Sequence, residues 1–458
     1  MTEELNGLTE LTACPRCDKS PLETTDKSFR CSACKVDFPS VSGIPWLFAE
    51  PDASMGEWRN RLHYALQQLA MKSQQLEAEL KGIEPESLTA GRLTAQKSAV
   101  DSEREQLREL LAPVDVQSST ASYETYLAMR TRLPSDQGIT TYFNNIHRDW
   151  AWGDEENAAS LDIVGDVAGD APLGDTLVLG SGASRLAYDI HQQLSPRRTV
   201  ALDFNPLLLL VAKTVTEGNE LTLYEFPLAP KGIDDFAVER TLKAPAAARD
   251  GFHLVLADVL RPPFGEKSFD TVITPWIIDI VNEDLPIQAA RINGLLKPGG
   301  RWINFGSLAF DHPERARCYS REEALAIVES TGFAAPLTKE ETIPYMCSPA
   351  SRHGRRETVL AFSAIKSGDV AAPGRHRALP DWIVTGEAPV PALPAFRSQA
   401  VTTQIHAYIM SMIDGQRTIA DMAAIMEQQK LMTKEEAIPA IRNFLTRMHD
   451  DSQRSTGF

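Results

Sequence analysis

Four cysteines near the N-terminus form two pairs with the spacing of metal-binding knuckles. Cys14 and Cys17 make the first Cys-x-x-Cys pair, Cys31 and Cys34 make the second, and a 13-residue loop separates them. Each pair can present two thiolates to one tetrahedral metal, and four thiolates suit Zn²⁺. Two redox-active pairs are the alternative. The spacing predicts a structural zinc site, in which a full set of four thiolates leaves no open position for catalysis.

A glycine-containing turn in the middle of the chain has the features of a cofactor-binding loop. Gly180 and Gly182 lie between a short apolar strand and a predicted helix. Glycines let the backbone approach a ligand and direct helix N-terminal amides towards it. The third glycine of the dinucleotide-binding fingerprint is Ser184 in this chain, which disfavours a pyrophosphate ligand. S-adenosylmethionine, which has no phosphate, is therefore the favoured cofactor.

Two aspartates follow the next predicted strands. Asp203 ends an apolar segment 21 residues after Gly182, and Asp258 stands near the end of the apolar segment 254–259. A carboxylate at the first position can accept both ribose hydroxyls, and the second is placed to accept the adenine amino group. Each alone is also an ordinary turn residue. Their order along the chain predicts that both bind S-adenosylmethionine.

Strands and helices alternate from residue 175 to residue 366, which predicts a doubly wound α/β fold with a mostly parallel sheet. Residues 142–167 are predicted to form a further helix before this sheet. The composition divides the chain into a zinc ribbon, a helical linker, the α/β domain, a linker rich in Pro and Ala, and a small helical module. Their predicted bounds are 1–50, 51–140, 141–367, 368–400 and 401–458.

Composition limits the partners and the compartment. The formal net charge of −16 works against nucleic-acid binding, which needs clustered Lys and Arg. No apolar run approaches the roughly 20 residues that span a bilayer, and the acidic N-terminus does not resemble a signal peptide. Apart from the two knuckles, only Cys318 and Cys347 are cysteines, which is unlike a secreted disulfide framework. We therefore expect a cytoplasmic protein that binds neither membrane nor nucleic acid.

Several stretches between residues 142 and 366 resemble the carnosine N-methyltransferase family, also called N2227-like. The matching stretches are FNNIHRDW at 143–150, GSGASRLAYD at 180–189, TPWIID at 274–279, LKPGGRWINFGSL at 296–308 and the segment 319–333. The resemblance implies a Rossmann-like class I methyltransferase sheet. It also implies that S-adenosylmethionine donates a methyl group to an imidazole nitrogen.

The same resemblance assigns further cofactor residues. It implies that Asn145 and Arg148, on the helix before the sheet, close over the cofactor, and that Arg148 meets its carboxylate in a charge-assisted contact. Val259 and Pro275 are also implied to lie against the cofactor. An ordinary surface arginine is the alternative for Arg148, but nearby tryptophans favour a buried setting.

By this resemblance, Asp279 falls on the aspartate that orients the acceptor. An imidazole attacks the methyl group through one unprotonated nitrogen. A carboxylate that accepts the N–H of the other nitrogen fixes the tautomer and stabilises the developing imidazolium. A structural role in capping the loop after residues 276–278 is the alternative.

The chain departs from the family where the far end of the substrate is held. Asp311, followed by His312, replaces a family histidine, and Arg355 and Arg356 lie where the family has a tyrosine cluster. These four residues and Asp279 are the predicted substrate residues. The two arginines are suited to a substrate carboxylate, or are simply exposed basic residues. The departures indicate a substrate other than carnosine.

Two shorter resemblances concern the accessory segments. Residues 14–48 resemble Trm112-like zinc ribbons, which implies that the ribbon supports or positions an enzyme. Residues 405–448 resemble PqqD-like winged-helix domains that bind leader peptides, and a helical cap or oligomer contact is the alternative. Either segment is a candidate surface for a peptide or protein partner.

The leading hypothesis is an enzyme that methylates an imidazole nitrogen in a histidine-containing small molecule or peptide. A methyltransferase for another N or O nucleophile is the second hypothesis. A catalytically silent fold that only binds S-adenosylmethionine is the third, and the missing third glycine is the feature that favours it.

Overall fold

The computed structural model describes residues 7–25, 28–116, 142–281, 283–312, 314–374 and 389–454. Two compact units make up the chain, Met1–Ala378 and Leu379–Phe458. The predicted Pro- and Ala-rich linker lies partly outside the described residues, at 375–388. No helix in the described ranges has the length and apolar character needed to cross a membrane.

Seven strands form the central sheet of the large unit, in the order β10-β7-β6-β11-β12-β14-β13. The first five run parallel to one another, whereas β14 is antiparallel to both of its neighbours. The strands are β6 (Asp175–Leu179), β7 (Arg198–Asp203), β10 (Phe252–Leu256), β11 (Phe269–Pro275), β12 (Leu296–Gly306), β13 (Leu337–Tyr345) and β14 (Arg355–Ile365). The predicted doubly wound α/β fold with a mostly parallel sheet is confirmed.

Helices cover both faces of this sheet because the strands are apolar on both faces. The helices of the large unit are α1 (Pro51–Leu80), α2 (Leu88–Leu110), α3 (Phe143–His147), α4 (Asp154–Ala168), α5 (Arg185–Gln193), α6 (Pro206–Thr216), α7 (Leu285–Leu295) and α8 (Arg321–Ser330). Polar side chains cap several of them: Asn205 accepts the Leu207 N–H at the start of α6, and Asp284 accepts the Leu285 N–H at the start of α7.

The segment before the sheet is two helices rather than the single predicted one. A π-helical turn, Arg148–Trp152, separates α3 from α4. Gly153 ends this turn, and a Cβ there would lie 2.3 Å from the Arg148 carbonyl oxygen. The close backbone approach explains the break, which the apolar periodicity of residues 142–167 does not reveal.

The N-terminal ribbon adds backbone pairing to the exposed edge of the sheet. It contains a three-stranded sheet and a hairpin, whose strands are β1 (Glu23–Thr24), β2 (Phe29–Arg30), β3 (Asp37–Phe38), β4 (Ser40–Val41) and β5 (Ile44–Pro45). Trp46 then pairs in parallel with Leu256 of β10, and the Leu47 N–H donates to the Leu256 carbonyl at 2.7 Å. An open sheet edge invites pairing with other chains, and the ribbon covers part of this one.

The α1–α2 pair packs against a hairpin inserted between α6 and β10. Its strands are β8 (Leu221–Glu225) and β9 (Val238–Leu242). Lys72 of α1 lies over the Phe226 ring, and Arg92 of α2 lies over the Phe236 ring, which are cation–π contacts.

Glu103 of α2 is buried at the same hairpin. Its Oε2 accepts the Tyr224 N–H at 2.6 Å, whereas its Oε1 has no hydrogen-bond partner in the described part of the chain. Burial raises the pKa of Glu103 to about 8, against a lowering contribution from the Tyr224 hydrogen bond.

The small unit consists, over the described residues 389–454, of three helices: α9 (Pro394–Ser411), α10 (Ile419–Gln428) and α11 (Lys434–Arg454). The Thr418 hydroxyl accepts the Asp421 N–H and caps α10. Buried residues from all three helices form its core: Ile409, Met412, Met422, Ala423, Met426, Ala437 and Ile441. The winged-helix interpretation stays a prediction.

We expect Glu103→Gln to stabilise the protein more at pH 8 than at pH 5. The folded protein keeps Glu103 protonated up to about pH 8, whereas in the unfolded chain Glu103 loses its proton near the ordinary glutamate pKa of 4.5. The free energy of unfolding therefore falls as pH rises from the lower pKa to the higher one. The neutral amide removes this cost, which linkage puts at roughly 4 kcal/mol at pH 8. Thermal or urea unfolding of both proteins at the two pH values measures it.

The matched control is Glu109→Gln, an exposed glutamate on the same helix. It should change stability equally at pH 5 and pH 8. An equal effect of Glu103→Gln at the two pH values would show that the Glu103 carboxyl is ionised in the folded protein.

Candidate functional site

The loop after β6 packs tightly against the next strand ends. Gly180 and Gly182 have φ values of +68° and +58°. A Cβ on Gly180 would lie 2.2 Å from the Ile277 side chain, so only glycine fits there. The Ser181 N–H donates to the Leu202 carbonyl at 3.0 Å. The loop therefore lies at the carboxyl ends of β6, β7 and β11.

Asp203 joins this loop from the end of β7. Its Oδ2 accepts the Gly182 N–H at 2.8 Å, and its Oδ1 accepts the Asn205 N–H at 2.9 Å. Burial raises the pKa of Asp203 to about 6, while these backbone donors oppose the shift. The structure brings the predicted glycine loop and the predicted ribose-binding carboxylate together.

Asp258 and Val259 lie just beyond the adjacent strand, β10. Leu256 pairs with Asp203 in the sheet, and the Ala257 N–H donates to the Asp203 carbonyl at 3.0 Å. Asp258 is half-buried, and its Oδ1 accepts the Leu260 N–H at 2.9 Å. The two predicted cofactor carboxylates therefore come from neighbouring strand ends.

The end of β11 carries Pro275, Trp276 and Asp279. Trp276 has a φ of +53°, and its N–H donates to the Phe305 carbonyl at 2.7 Å. Asp279 is half-buried, and its Oδ2 accepts the Ala309 N–H at 2.7 Å and lies 3.5 Å from the Ser307 hydroxyl. In the described part of the chain, its Oδ1 makes no hydrogen bond. One carboxylate oxygen of Asp279 thus fixes the loop after β12.

Arg148 is held inside the protein by two carboxylates. Its guanidinium lies 2.7 Å from Asp149 and 3.0 Å from Glu156. Burial raises the pKa of both carboxyl groups, and the Arg148 charge opposes the rise. Nearby, the Trp150 indole N–H donates to the Ala183 carbonyl of the glycine loop at 2.9 Å. Arg148 therefore lies two residues before a residue bonded to this loop, with its side chain 15 % exposed, and Asn145 is half-buried one helical turn earlier.

Two tyrosines near this cluster were not predicted from the sequence. Tyr142 and Tyr345 are both half-buried, their partial burial raises the pKa of each hydroxyl, and the charge of Asp203 raises the pKa of Tyr142 further. The Tyr345 ring lies 4.9 Å from the Trp276 ring. Tyr142 directly precedes the 143–150 stretch, a signal that was available, whereas Tyr345 stands in no recognisable motif.

Arg355 and Arg356 occupy successive positions of β14 and so face opposite sides of the sheet. Arg355 pairs with Tyr345: its guanidinium lies 4.5 Å from that ring, and its Nε is 2.6 Å from Glu357. Arg356 instead donates to the Thr342 carbonyl at 3.0 Å. The two arginines do not converge on one point, and Arg355 is the one on the Tyr345 side.

Asp311 and His312 lie in the loop after β12. The His312 Nδ1 accepts the Glu314 N–H at 3.0 Å, and the His312 N–H points to the Cys318 sulfur at 3.4 Å. Asp311 is exposed. Among the described residues, neither makes a hydrogen bond to Asp279, which contacts this loop through Ser307 and Ala309 instead.

The four cysteines of the ribbon converge on one point. Their sulfur atoms all lie within 4.8 Å of one another, with Cys14 and Cys34 at 3.6 Å and Cys17 and Cys31 at 3.4 Å. Four sulfurs around a Zn²⁺ at about 2.3 Å would stand roughly 3.8 Å apart. The geometry and the soft donor set therefore fit a tetrahedral structural zinc.

Comparison with known proteins identifies one family. The family model of carnosine N-methyltransferase matches residues 134–365. Among curated proteins, no sequence matches the chain.

Solved methyltransferase structures resemble the chain over about half its length. A methyltransferase of Thermotoga maritima, described as a possible histamine N-methyltransferase, is 13 % identical with a TM-score of 0.31, over 50 % of this chain and 96 % of that one. Phosphoethanolamine N-methyltransferase 2 of Haemonchus contortus is 15 % identical with a TM-score of 0.33, over 50 % of this chain and 57 % of that one. A chain from the complex of the Haloferax volcanii Trm112 methyltransferase activator with a methyltransferase is 13 % identical with a TM-score of 0.32, over 50 % of this chain and 94 % of that one.

We expect purified protein to hold one Zn²⁺ per chain and Cys31→Ser to lose it, because three thiolates cannot complete the site. The ribbon has little core of its own, so loss of the metal should also lower the unfolding temperature of the large unit. Metal analysis and calorimetry measure the two effects. Cys347→Ser, which changes an exposed cysteine outside the cluster, should leave both unchanged. A folded ribbon without zinc after chelation would contradict the assignment.

We expect the affinity for S-adenosylmethionine to fall below about pH 6, where Asp203 becomes protonated and loses its capacity to accept two ribose hydroxyls. Asp203→Asn should bind roughly 5- to 100-fold more weakly at pH 7.5 and show no such pH step. Calorimetric titration across pH 5–8 tests this. Asp258→Asn should also weaken binding, whereas Asp162→Asn, an exposed control on α4, should not. Unchanged affinity in both test variants would place the cofactor elsewhere.

Proposed function

Because the chain belongs to the carnosine N-methyltransferase family, we propose that it methylates an imidazole nitrogen of a histidine-containing small molecule or peptide. Family membership makes the chain an S-adenosylmethionine-dependent N-methyltransferase. The identity of the acceptor is the part that we propose.

The position of Asp279 is the observation that carries this proposal. One of its oxygens is held by the Ala309 N–H at 2.7 Å, which fixes the direction of the carboxylate. The other oxygen is then oriented to accept one N–H. An imidazole has one N–H and one basic nitrogen on opposite sides of its ring. A fixed carboxylate that accepts the N–H leaves the basic nitrogen free to attack.

The chemistry requires little more than orientation and charge stabilisation. Bound S-adenosylmethionine supplies a methyl group on a positively charged sulfur. When the imidazole nitrogen bonds to the methyl carbon, the carbon–sulfur bond breaks and the positive charge passes to the imidazole ring. The ionised Asp279 stabilises the imidazolium as it forms. Trp276, three residues before Asp279, and Tyr345 pack their rings 4.9 Å apart and are candidates for the apolar surface of the acceptor site.

The acceptor also has a far end, for which Arg355 is the best-placed group. The Tyr345 ring and the Glu357 carboxylate hold its guanidinium, so its terminal N–H groups are directed before a ligand arrives. A planar guanidinium binds a carboxylate through two parallel hydrogen bonds. We therefore propose that Arg355 binds a carboxylate of the acceptor. Asp311, His312 and Arg356 are further candidates for the same end.

We expect Asp279→Asn to lower kcat by roughly 10²–10³-fold, because it keeps the shape and the Ala309 hydrogen bond but removes the charge that stabilises imidazolium. Binding of S-adenosylmethionine should be unchanged. The assay uses labelled cofactor and a panel of histidine-containing dipeptides, free histidine and histidine-bearing peptides, each with and without its carboxylate. Mass spectrometry locates the methyl group on the product.

Glu322→Gln, an exposed carboxylate on α8, is the control and should retain full activity. A methyl group on an amine, or an Asp279→Asn rate equal to that of the parent, would exclude the imidazole mechanism. Equal use of acceptors with and without a carboxylate would exclude the role of Arg355.

A further inference from the structure

The Glu156 side chain touches two distant parts of the site with its two oxygens. Oε1 lies 3.0 Å from Nη1 of Arg148, and Oε2 accepts the Met346 N–H at 2.7 Å. The carboxylate is only 5 % exposed. Glu156 therefore bridges the helix before the sheet and the end of β13, 190 residues further along the chain.

The Arg148 end of this bridge belongs to the cofactor side. Arg148 lies beside the glycine loop, to which the neighbouring Trp150 is hydrogen-bonded through the Ala183 carbonyl. Asp149 binds the same guanidinium at 2.7 Å. A buried ion pair of this kind holds its members in one geometry, because separating them leaves an uncompensated charge in the interior.

The Met346 end belongs to the acceptor side. Met346 follows Tyr345, whose ring contacts Trp276 at 4.9 Å and lies under the Arg355 guanidinium at 4.5 Å. The turn that begins there, residues 346–354, is called the tip below. Glu156 is thus bonded to the backbone where β13 ends at Tyr345 and the tip begins.

The tip has a second attachment on its other side, to the loop between β8 and β9. The Lys231 N–H donates to the Ala350 carbonyl at 3.0 Å, the Arg352 N–H donates to the Ala229 carbonyl at 2.8 Å, and Ser351 is hydrogen-bonded to the Leu228 carbonyl. These bonds fix the side of the tip that faces the β8–β9 loop. The Glu156–Met346 bond then fixes the position of the other side of the tip.

We propose that Glu156 is a positioning residue that couples cofactor binding to the orientation of the Tyr345 side chain. Fixing Arg148 fixes Glu156, and fixing Glu156 holds the Met346 N–H and with it the orientation of Tyr345. By linkage, a cofactor that binds this arrangement best also stabilises it. The inference rests on the proposed function for the binding of S-adenosylmethionine, and on the predicted contact of Arg148 with the carboxylate of that cofactor.

Amide hydrogen exchange at residues 345–347, with and without saturating S-adenosylmethionine, tests the proposal and needs no acceptor. In the parent we expect the cofactor to slow exchange of the Met346 amide by about five-fold or more. Glu156→Gln keeps an oxygen that can accept this N–H but loses the charge that binds Arg148. It should retain basal protection and lose the cofactor-dependent slowing. Glu156→Ala should lose both.

Glu155→Gln, an exposed neighbour on the same helix, is the control and should behave as the parent does. Cofactor-dependent slowing that survives in Glu156→Gln would overturn the proposal, as would its absence from the parent. Calorimetric titration of the same samples with S-adenosylmethionine distinguishes failure of the proposed function from failure of the role of Glu156. A parent that binds no S-adenosylmethionine refutes the proposed function, whereas normal binding without coupling refutes only the role of Glu156.

Discussion

The parallel pairing of β10, β7, β6, β11 and β12 is the constraint on which the site depends. All five strands end at the same edge, so groups from distant parts of the chain meet there. The register of the strands fixes the position of each of these groups along the strand direction: Leu179 lies opposite Leu202, and Leu256 lies opposite Asp203. A slip of one residue in β7 would turn the Asp203 side chain to the other face of the sheet. The bond between Gly182 and Asp203 would then be lost.

Charge burial supplies the second constraint. Arg148 and Arg185 lie close to Asp149, and the Arg185 guanidinium binds Asp189 at 2.9 Å and the Asp149 carbonyl at 2.7 Å. Buried ions are tolerated only when they are paired and hydrogen-bonded. The Arg185 bond to the Asp149 carbonyl fixes the segment before the sheet relative to α5, the helix that follows the glycine loop. A hydrophobic contact at the same place would give comparable stability with less specified geometry.

The sequence predicted the parts of the site that depend on contiguous residues. The two cysteine knuckles, the glycine turn and the carboxylate after β7 each follow from a short segment and the strand-to-helix pattern around it. Other features depend on distant pairs, which no local pattern encodes. The bond from Glu156 to Met346, the contact of Tyr345 with Trp276 and the pairing of Leu47 with β10 are of this kind.

Local boundaries were less predictable than the elements themselves, since strand ends depend on neighbouring strands. The third strand was expected at 254–259 and spans Phe252–Leu256, because β7, its partner, ends at Asp203. The Lys-Pro-Gly-Gly sequence of residues 297–300 is typical of a helix end, yet these residues belong to β12, which begins at Leu296 directly after α7. The residues keep their turn chemistry, with Gly299 at a φ of +73°, inside an irregular start of the strand.

The ribbon is tied to the catalytic fold by a shared core as well as by the sheet edge. Leu22, Phe29 and Phe38 of the ribbon belong to the same buried cluster as Val255 and Phe264. Because binding of a structural metal contributes directly to folding free energy, the four thiolates stabilise this joint core and not the ribbon alone. Leu256 is bonded to β7 on one side and to Leu47 on the other. The strand end that presents Asp258 is therefore held between the sheet and the ribbon, so the four thiolates support the predicted cofactor site through β10.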